Sequence, residues 1–210
     1  MASLHRHLRR SRAACRLWRD DRAAQLLEFA VSLPLLIVFV VGIFDFSGAF
    51  TLKQKLTNLA RDTARAAAAD PANDVAEPPS GGVPASVSDA FQMIDNYLDA
   101  NKINDCNISP GNAVLTVPAT WTYSANGNGC PGTGLIIKIN RAYYFPQDAA
   151  APAPNVNCAS TRTGTTTVIA TCVSIQYAYQ WRFGKVESLL GSHTGLPSSI
   201  SAVSVAMNEN

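Results

Sequence analysis

The sequence predicts an α+β protein in which one long N-terminal helix lies against an antiparallel β-sheet. Three observations carry that prediction. An apolar run over residues 23–44 passes without a stop signal into an amphipathic helical pattern. Asp70-Pro71 then ends the pattern, because the residue before a proline avoids the α region. Further along, apolar residues alternate with period two in stretches separated by Gly-, Pro- and Asn-rich turns, as in antiparallel strands. The 210 residues leave room for one membrane helix and one globular domain of about 130 residues.

Charge is distributed unevenly. Charged residues make up 15% of the chain, against about 25% in an average soluble domain. The net charge of +2 conceals a basic head: residues 1–22 hold seven arginines against Asp20 and Asp21, so they carry +5 and the remainder −3. A basic flank ahead of an apolar run places the N-terminus in the cytoplasm. A nucleic-acid-binding arm is the competing reading of such a head. Trp18 is its only aromatic residue and the apolar run begins at once, so no nucleic-acid partner is expected.

The first element is therefore a membrane helix. Phe29 to Phe44 is free of charge, and continuing past Asp45 through Phe46, Gly48, Ala49 and Phe50 to Leu52 exceeds the ~20 residues that a span requires. Ser47-Gly48-Ala49 has the small-x-small look of a secretory cleavage site, which would leave a mature chain starting at Phe50. Against it stand the 28 residues before the apolar core, Pro34 inside that core and Asp45 at its end. Leu52, Leu56, Leu59, Ala60 and Thr63 then recur at helical spacing, with Lys53, Lys55, Arg61, Asp62 and Arg65 on other faces. One continuous helix from about Gln25 to Ala69 would be about 67 Å long. Glu28 is the anomaly in it. A carboxylate in lipid costs up to about 2.5–3.5 kcal/mol, so an intramembrane acid reads by default as functional.

Residues 70–85, with Pro78-Pro79-Ser80-Gly81-Gly82 and Pro84, form a linker to an outer domain at 86–210. A short helix is expected at about 88–100, capped by Ser86 or Ser88, with Phe91, Ile94 and Leu98 inward. Four strands follow. Residues 113–123 alternate, with Pro118 marking an edge or bulge. Leu135, Ile137, Ile139, Tyr143 and Phe145 mark the second. A long half-buried strand puts Ile169, Thr171, Val173, Ile175, Tyr177, Tyr179, Trp181 and Phe183 on one face. Val203, Val205 and Met207 mark the last.

Cys15 sits in the basic head. Cys106, Cys130, Cys158 and Cys172 fall in the outer domain, an even number suited to an oxidising compartment. Three pairings are possible, and nearest-neighbour order favours Cys106–Cys130 with Cys158–Cys172. No two of these cysteines have zinc-finger spacing and His193 is the one histidine of the outer domain, so no metal is expected. Gly127-Asn128-Gly129-Cys130-Pro131-Gly132 spells G-x-G-x-x-G, yet a strand follows it where a dinucleotide site needs a helix. It reads as a hairpin loop. With no nucleophile elbow, P-loop or H-E-x-x-H, no cofactor and no enzymatic activity are expected. Asn107-Ile108-Ser109 is a sequon that marks an exposed turn.

Four segments together carry a resemblance: Ala24-Gln25-Leu26-Leu27-Glu28-Phe29-Ala30, Leu33-Pro34-Leu35-Leu36, Gly42-Ile43-Phe44-Asp45-Phe46, and Ala60-Arg61-Asp62-Thr63-Ala64-Arg65-Ala66-Ala67. They resemble the TadE-like family, pseudopilins of the bacterial Tad (Flp, type IVc) pilus system. The stretch from Ile200 to Glu209 is a weaker echo of the family's final strand, with Asn208 where a basic residue is usual. The resemblance implies a pilin-like fold and a cytoplasmic leader, residues 1–23, removed by a prepilin peptidase between Ala23 and Ala24. Alanine at position 23 stands where glycine is usual. Glu28 would become the fifth mature residue, followed by Phe29. Ala24 and Glu28 are one helical turn apart, so the freed ammonium can meet its own Glu28 or a neighbour's. Snorkelling of Glu28 to the cytoplasmic interface is the blander alternative. Pro34 should kink or loosen the helix, and Asp45 sits at the outer interface or pairs with a neighbour's base.

The implied function is that of a minor pilin or pseudopilin in pilus biogenesis and assembly, or in a related secretion apparatus. Its partners would be the peptidase, other pilin subunits with the assembly machinery, and the lipid bilayer. It would sit single-pass in the inner membrane with its sheet domain periplasmic. The alternative is an uncleaved, membrane-anchored periplasmic adhesin or binding domain.

Overall fold

A computed structural model describes residues 21–71, 82–117, 119–146, 154–160, 167–182 and 196–209. The head with Cys15, most of the linker, Pro118, Phe183 and His193 lie outside the described residues. Helix α1 runs unbroken over Asp21–Ala69, longer at its start than the sequence pattern required, with Pro34 inside it. Helix α2 covers Ala85–Ala100. A 3-10 turn at Pro110–Asn112 leads into five strands: β1 Ala113–Val117, β2 Thr120–Ala125, β3 Leu135–Pro146, β4 Thr167–Ala178 and β5 Ser199–Met207. They form one antiparallel sheet in sequence order, β1-β2-β3-β4-β5. The fold is α+β, as predicted, with one strand more.

The extra strand comes from residues 113–123. Their alternation continues, but the chain reverses between Val117 and Thr120, and Ala119 adopts φ 60° in the tight connection. One predicted strand is therefore a hairpin. The edge and bulge readings hold all the same: β1 is an edge strand, and its register with β2 shifts between Leu115 and Val117.

The sheet turns one face to the helices. Leu135, Ile137 and Ile139 of β3, Val173 and Ile175 of β4, and Ile200 and Ala202 of β5 are buried together with Leu56, Leu59, Ala60 and Ala64 of α1. The α1 face is rich in alanine, and Ala202 and Ala206 face it from β5. Small residues on both sides let helix and strand backbones come close. On the other helix, Val87, Ala90, Phe91, Ile94 and Leu98 point inward, as the spacing predicted. Phe91 stacks on Tyr123 with centroids 4.3 Å apart, and burial pushes the Tyr123 phenol up to about 12. The cap differs from expectation. Pro84 holds the N-cap position and its carbonyl accepts from the amides of Val87 and Ser88 at 3.1 and 3.0 Å. Ser86 is instead buried within the helix.

The opposite face of the sheet is covered as well, where the sequence suggested solvent. Residues 154–160 lie over β3 and β4 as a strap. The Cys158–Cys172 disulfide fixes it. Asn140 Nδ2 donates to Cys158 O at 2.8 Å, Ser174 Oγ to Val156 O at 2.8 Å, and Lys138 Nζ to Asn157 Oδ1 at 2.7 Å. β4 is thus buried on both sides, with Ala170, Cys172 and Ser174 under the strap. A register shift in β3 between Asn140 and Tyr143 moves Tyr143 to this second face, where Phe145, Val203 and Val205 join it. The predicted grouping of Tyr143 and Phe145 with Ile139 therefore fails at one bulge, as expected when an extra residue reverses the pleat.

The G-x-G-x-x-G segment is a hairpin loop between β2 and β3, as read from the sequence. Gly134 has φ +69°, and a Cβ there would lie 2.1 Å from Ala125 O, so no other residue fits. Cys106–Cys130 ties this loop to the turn after α2. Its link spans 24 residues and that of Cys158–Cys172 spans 14. On chain-entropy grounds, loops of this size contribute about 3 kcal/mol each.

Both ends of the fold meet at the C-terminus of α1. Arg141 Nη2 donates to Asp70 O and Pro71 O at 3.0 and 3.1 Å. Asn208 Nδ2 donates to Arg141 O at 3.1 Å, while Thr171 Oγ1 donates to Asn208 Oδ1 at 2.7 Å. Asn208 needs both a donor and an acceptor here, which a lysine or arginine does not have.

The two halves of α1 should respond oppositely to truncation. Leu56 is fully buried and Leu35 is 61% exposed. Leu56→Ala is expected to cost about 2–5 kcal/mol, and Leu35→Ala less than about 0.5 kcal/mol. Thermal unfolding of the full chain in detergent, followed by near-ultraviolet circular dichroism, measures both.

Candidate functional site

Helix α1 divides at Asp45. From Ala24 to Phe44 no side chain is buried, and Leu26, Phe29, Leu35, Phe39 and Phe44 are all more than half exposed. From Asp45 onward a buried residue recurs every turn or two: Asp45, Ala49, Leu56, Ala60, Thr63, Ala67. The helix thus projects its apolar half beyond the sheet. Among the described residues it is the one helix long and apolar enough to cross a membrane. Twenty-one steps from Ala24 to Asp45 cover about 31 Å, the thickness of a bilayer's hydrocarbon core at ~30 Å.

The sequence-predicted residues take distinct places. The Ala23–Ala24 bond lies in the first turns of α1, and Ala24 is exposed. Glu28 and Phe29 are exposed one turn further on. Among the described residues, no group bonds the Glu28 carboxylate. Ser32 Oγ donates to Glu28 O at 2.8 Å, so that hydroxyl is satisfied within the helix. Pro34 leaves the helix continuous. The four outer cysteines form the two favoured disulfides. No cluster of metal-ligating side chains occurs among the described residues.

Asp45 lies where the apolar half of α1 ends. It is only 5% exposed and is engaged within its own chain. Tyr179 Oη, from the segment just after β4, donates toward Asp45 Oδ1 and Asp45 O, each at 3.2 Å. Gly48, one turn on, leaves room for that phenol, since a methyl there would sit 3.2 Å from it. Burial first, then the charge and hydrogen bond of Asp45, raise the Tyr179 pKa, with Arg182 acting the other way. The phenol is therefore a stable donor at neutral pH.

An aromatic collar surrounds this contact. Trp181 packs against Phe46 with centroids 5.2 Å apart and edge-on to Tyr179 at 4.9 Å. Its Nε1 donates to Pro197 O at 2.7 Å. Sequence reading had Tyr179 and Trp181 as strand residues on the face shared by Val173 and Ile175. The side is right, but the strand ends at Ala178, and these rings reach the helix just where its apolar half begins. The signal was present in the aromatic run 177–181 beside an acid at the end of an apolar stretch.

The class is thus a helix of membrane-spanning length joined to an extended sheet domain. Residues 23–65, nearly all of α1, match the family model described as TadE-like protein, so the chain carries a TadE-like domain there. That domain associates it with the Tad pilus. No curated protein and no solved structure matches the chain.

Tyr179→Phe removes the donor to Asp45 and leaves the ring. The expected loss is about 1 kcal/mol, the net contribution of one hydrogen bond. Chemical denaturation of the full chain in detergent measures it. An unchanged midpoint would show that the contact does not hold the two halves together.

Proposed function

We propose that this chain is a minor pilin or pseudopilin of a Tad-type pilus or a related secretion apparatus. The observation that carries the proposal is the division of α1. One half is built into a sheet domain, while the other offers some 20 apolar residues and a single acid to surroundings the chain itself does not supply. In the membrane those surroundings are lipid, and in a filament they are the helices of neighbouring subunits. The basic head stays in the cytoplasm by the positive-inside rule, and the sheet domain lies on the far side.

A prepilin peptidase cuts between Ala23 and Ala24. The new ammonium lies one turn from Glu28 and offsets the cost of placing that carboxylate in an apolar environment. Pairing with a neighbour's ammonium sets the subunit register. The protein performs no chemistry of its own; its role is to be processed and assembled.

Intact-mass analysis of membrane-extracted protein tests the processing step. The expected mature chain begins at Ala24. A chain beginning at Phe50 would mean a secreted domain, and an uncut chain that still assembles would end the proposal. Glu28→Gln tests the register. Losing one partner of a buried pair costs about 3–5 kcal/mol, so filament-associated protein should fall on the order of a hundredfold or more. An uncleaved anchor for a binding domain would be indifferent to that change.

A further inference from the structure

Where α1 leaves the sheet domain, the fold leaves an apolar surface open. Phe46, Ala49 and Phe50 of α1 share a groove of about 350 Å³ with Trp181, Pro197 and Ile200 of the sheet domain. Phe46 and Phe50, one turn apart, are each more than half exposed. The helix carries no charge from Phe46 to Leu52, and Lys53 is the first charged residue after Asp45. Asp45 itself is buried and presents almost nothing outward. The uncharged outer surface of the helix therefore continues past the point where its packing on the domain begins.

We infer that this end of the sheet domain is seated on the leaflet at the outer end of α1, with the Trp181 ring at headgroup depth and the upper part of a phospholipid acyl chain in the groove. The inference rests on the membrane-spanning reading of α1 and extends it by placing the domain itself in contact with lipid. Depth argues for it. With the hydrocarbon core ending near Asp45, Phe46 lies about 1.5 Å and Phe50 about 7.5 Å further out along the helix. The polar region of a bilayer is about 5–7.5 Å thick on each side, so neither ring passes its outer edge. Trp181 is at the same level, because its ring packs on that of Phe46 with centroids 5.2 Å apart. Lys53, about 12 Å beyond Asp45, then stands where water begins.

The chemistry of the groove agrees with the depth. An indole that enters so apolar a boundary is costly if its N–H is left unpaired. Trp181 Nε1 already donates to Pro197 O at 2.7 Å, so the ring can meet lipid with its donor satisfied, as aromatic residues do at membrane interfaces. A second copy of the chain fits less well. Nine residues line the groove, whereas a stable protein interface uses about 20–30 a side. A lipid chain needs only a slot.

The test uses the full chain in vesicles of phosphatidylethanolamine and phosphatidylglycerol, in which part of the lipid carries bromine either near the carbonyl end or near the methyl end of its acyl chains. Bromine quenches tryptophan emission on contact. One variant, Trp18→Phe with Trp121→Phe, keeps Trp181 alone; the other, Trp18→Phe with Trp181→Phe, keeps Trp121 alone. Trp121 is the internal control. It shares a row of the sheet with Ile139, Val173 and Ser204, and Ser204 is about 10 Å along β5 from Ser201, which accepts from Lys53. Both variants should float with the vesicles. The expected result is loss of Trp181 emission, greater with bromine near the carbonyl end, while Trp121 keeps its intensity. Phe50→Asp, at an exposed position, puts a charge in the groove and should restore Trp181 emission while flotation persists. Flotation with Trp181 unquenched, quenched equally with Trp121, or quenched alike with and without Phe50→Asp would overturn the seating and leave the membrane reading standing. A Trp181 emission that ignores bromine but shifts with protein density would give the groove to a second copy and overturn it too. Failure to float would overturn both.

Discussion

The close approach of α1 to β5 is the contact on which the rest of the structure depends. Alanines at 49, 60, 64 and 67 on the helix meet Ala202 and Ala206 on the strand, with Leu56, Leu59 and Ile200 filling the remaining space. Bulky side chains would hold the two backbones apart, and small ones let them pack to the density of a protein interior. Because the helix is one rigid rod, fixing its second half against the strand also fixes the direction in which its first half leaves the domain. The Lys53 ammonium, donating to Ser201 O, adds a polar tie at the same seam.

The two acids of the apolar segment are accommodated in different ways. Asp45 is held by the protein's own sheet domain, through a phenol aimed at both its carboxylate and its main-chain oxygen. Glu28 has no such partner among the described residues and faces outward. One acid is therefore part of how the domain is held to its helix, and the other is the one on which the proposed subunit register rests. Their separation along the helix, almost the full thickness of a hydrocarbon core, keeps the two roles independent.

Most of the architecture was legible in the sequence because long periodic elements declare themselves. The amphipathic spacing of Leu56, Leu59, Ala60 and Thr63 placed the buried face of α1, and Asp70-Pro71 placed its end. What escaped were features set by a single residue or by contacts distant along the chain. The reversal beside Pro118 split one strand into two without disturbing the alternation. The bulge after Asn140 turned Tyr143 to the other face. The strap at 154–160 covers β4 because of a disulfide and three hydrogen bonds, none of which a period-two pattern can report. The pairing of Asp45 with Tyr179 spans 134 positions, too far along the chain for a local reading of that acid to find.

The order of strands has a consequence for how the molecule is made. The helix is synthesised first, yet its main partner strand comes last, after every other strand of the sheet. Contacts between such distant segments form slowly, and domains emerge from the ribosome N-terminus first. Until β5 emerges the inner face of the helix therefore lacks its main partner strand, and the nascent chain is at its stickiest just before that point. A defect in the codons for β5 would hold the polypeptide in that state.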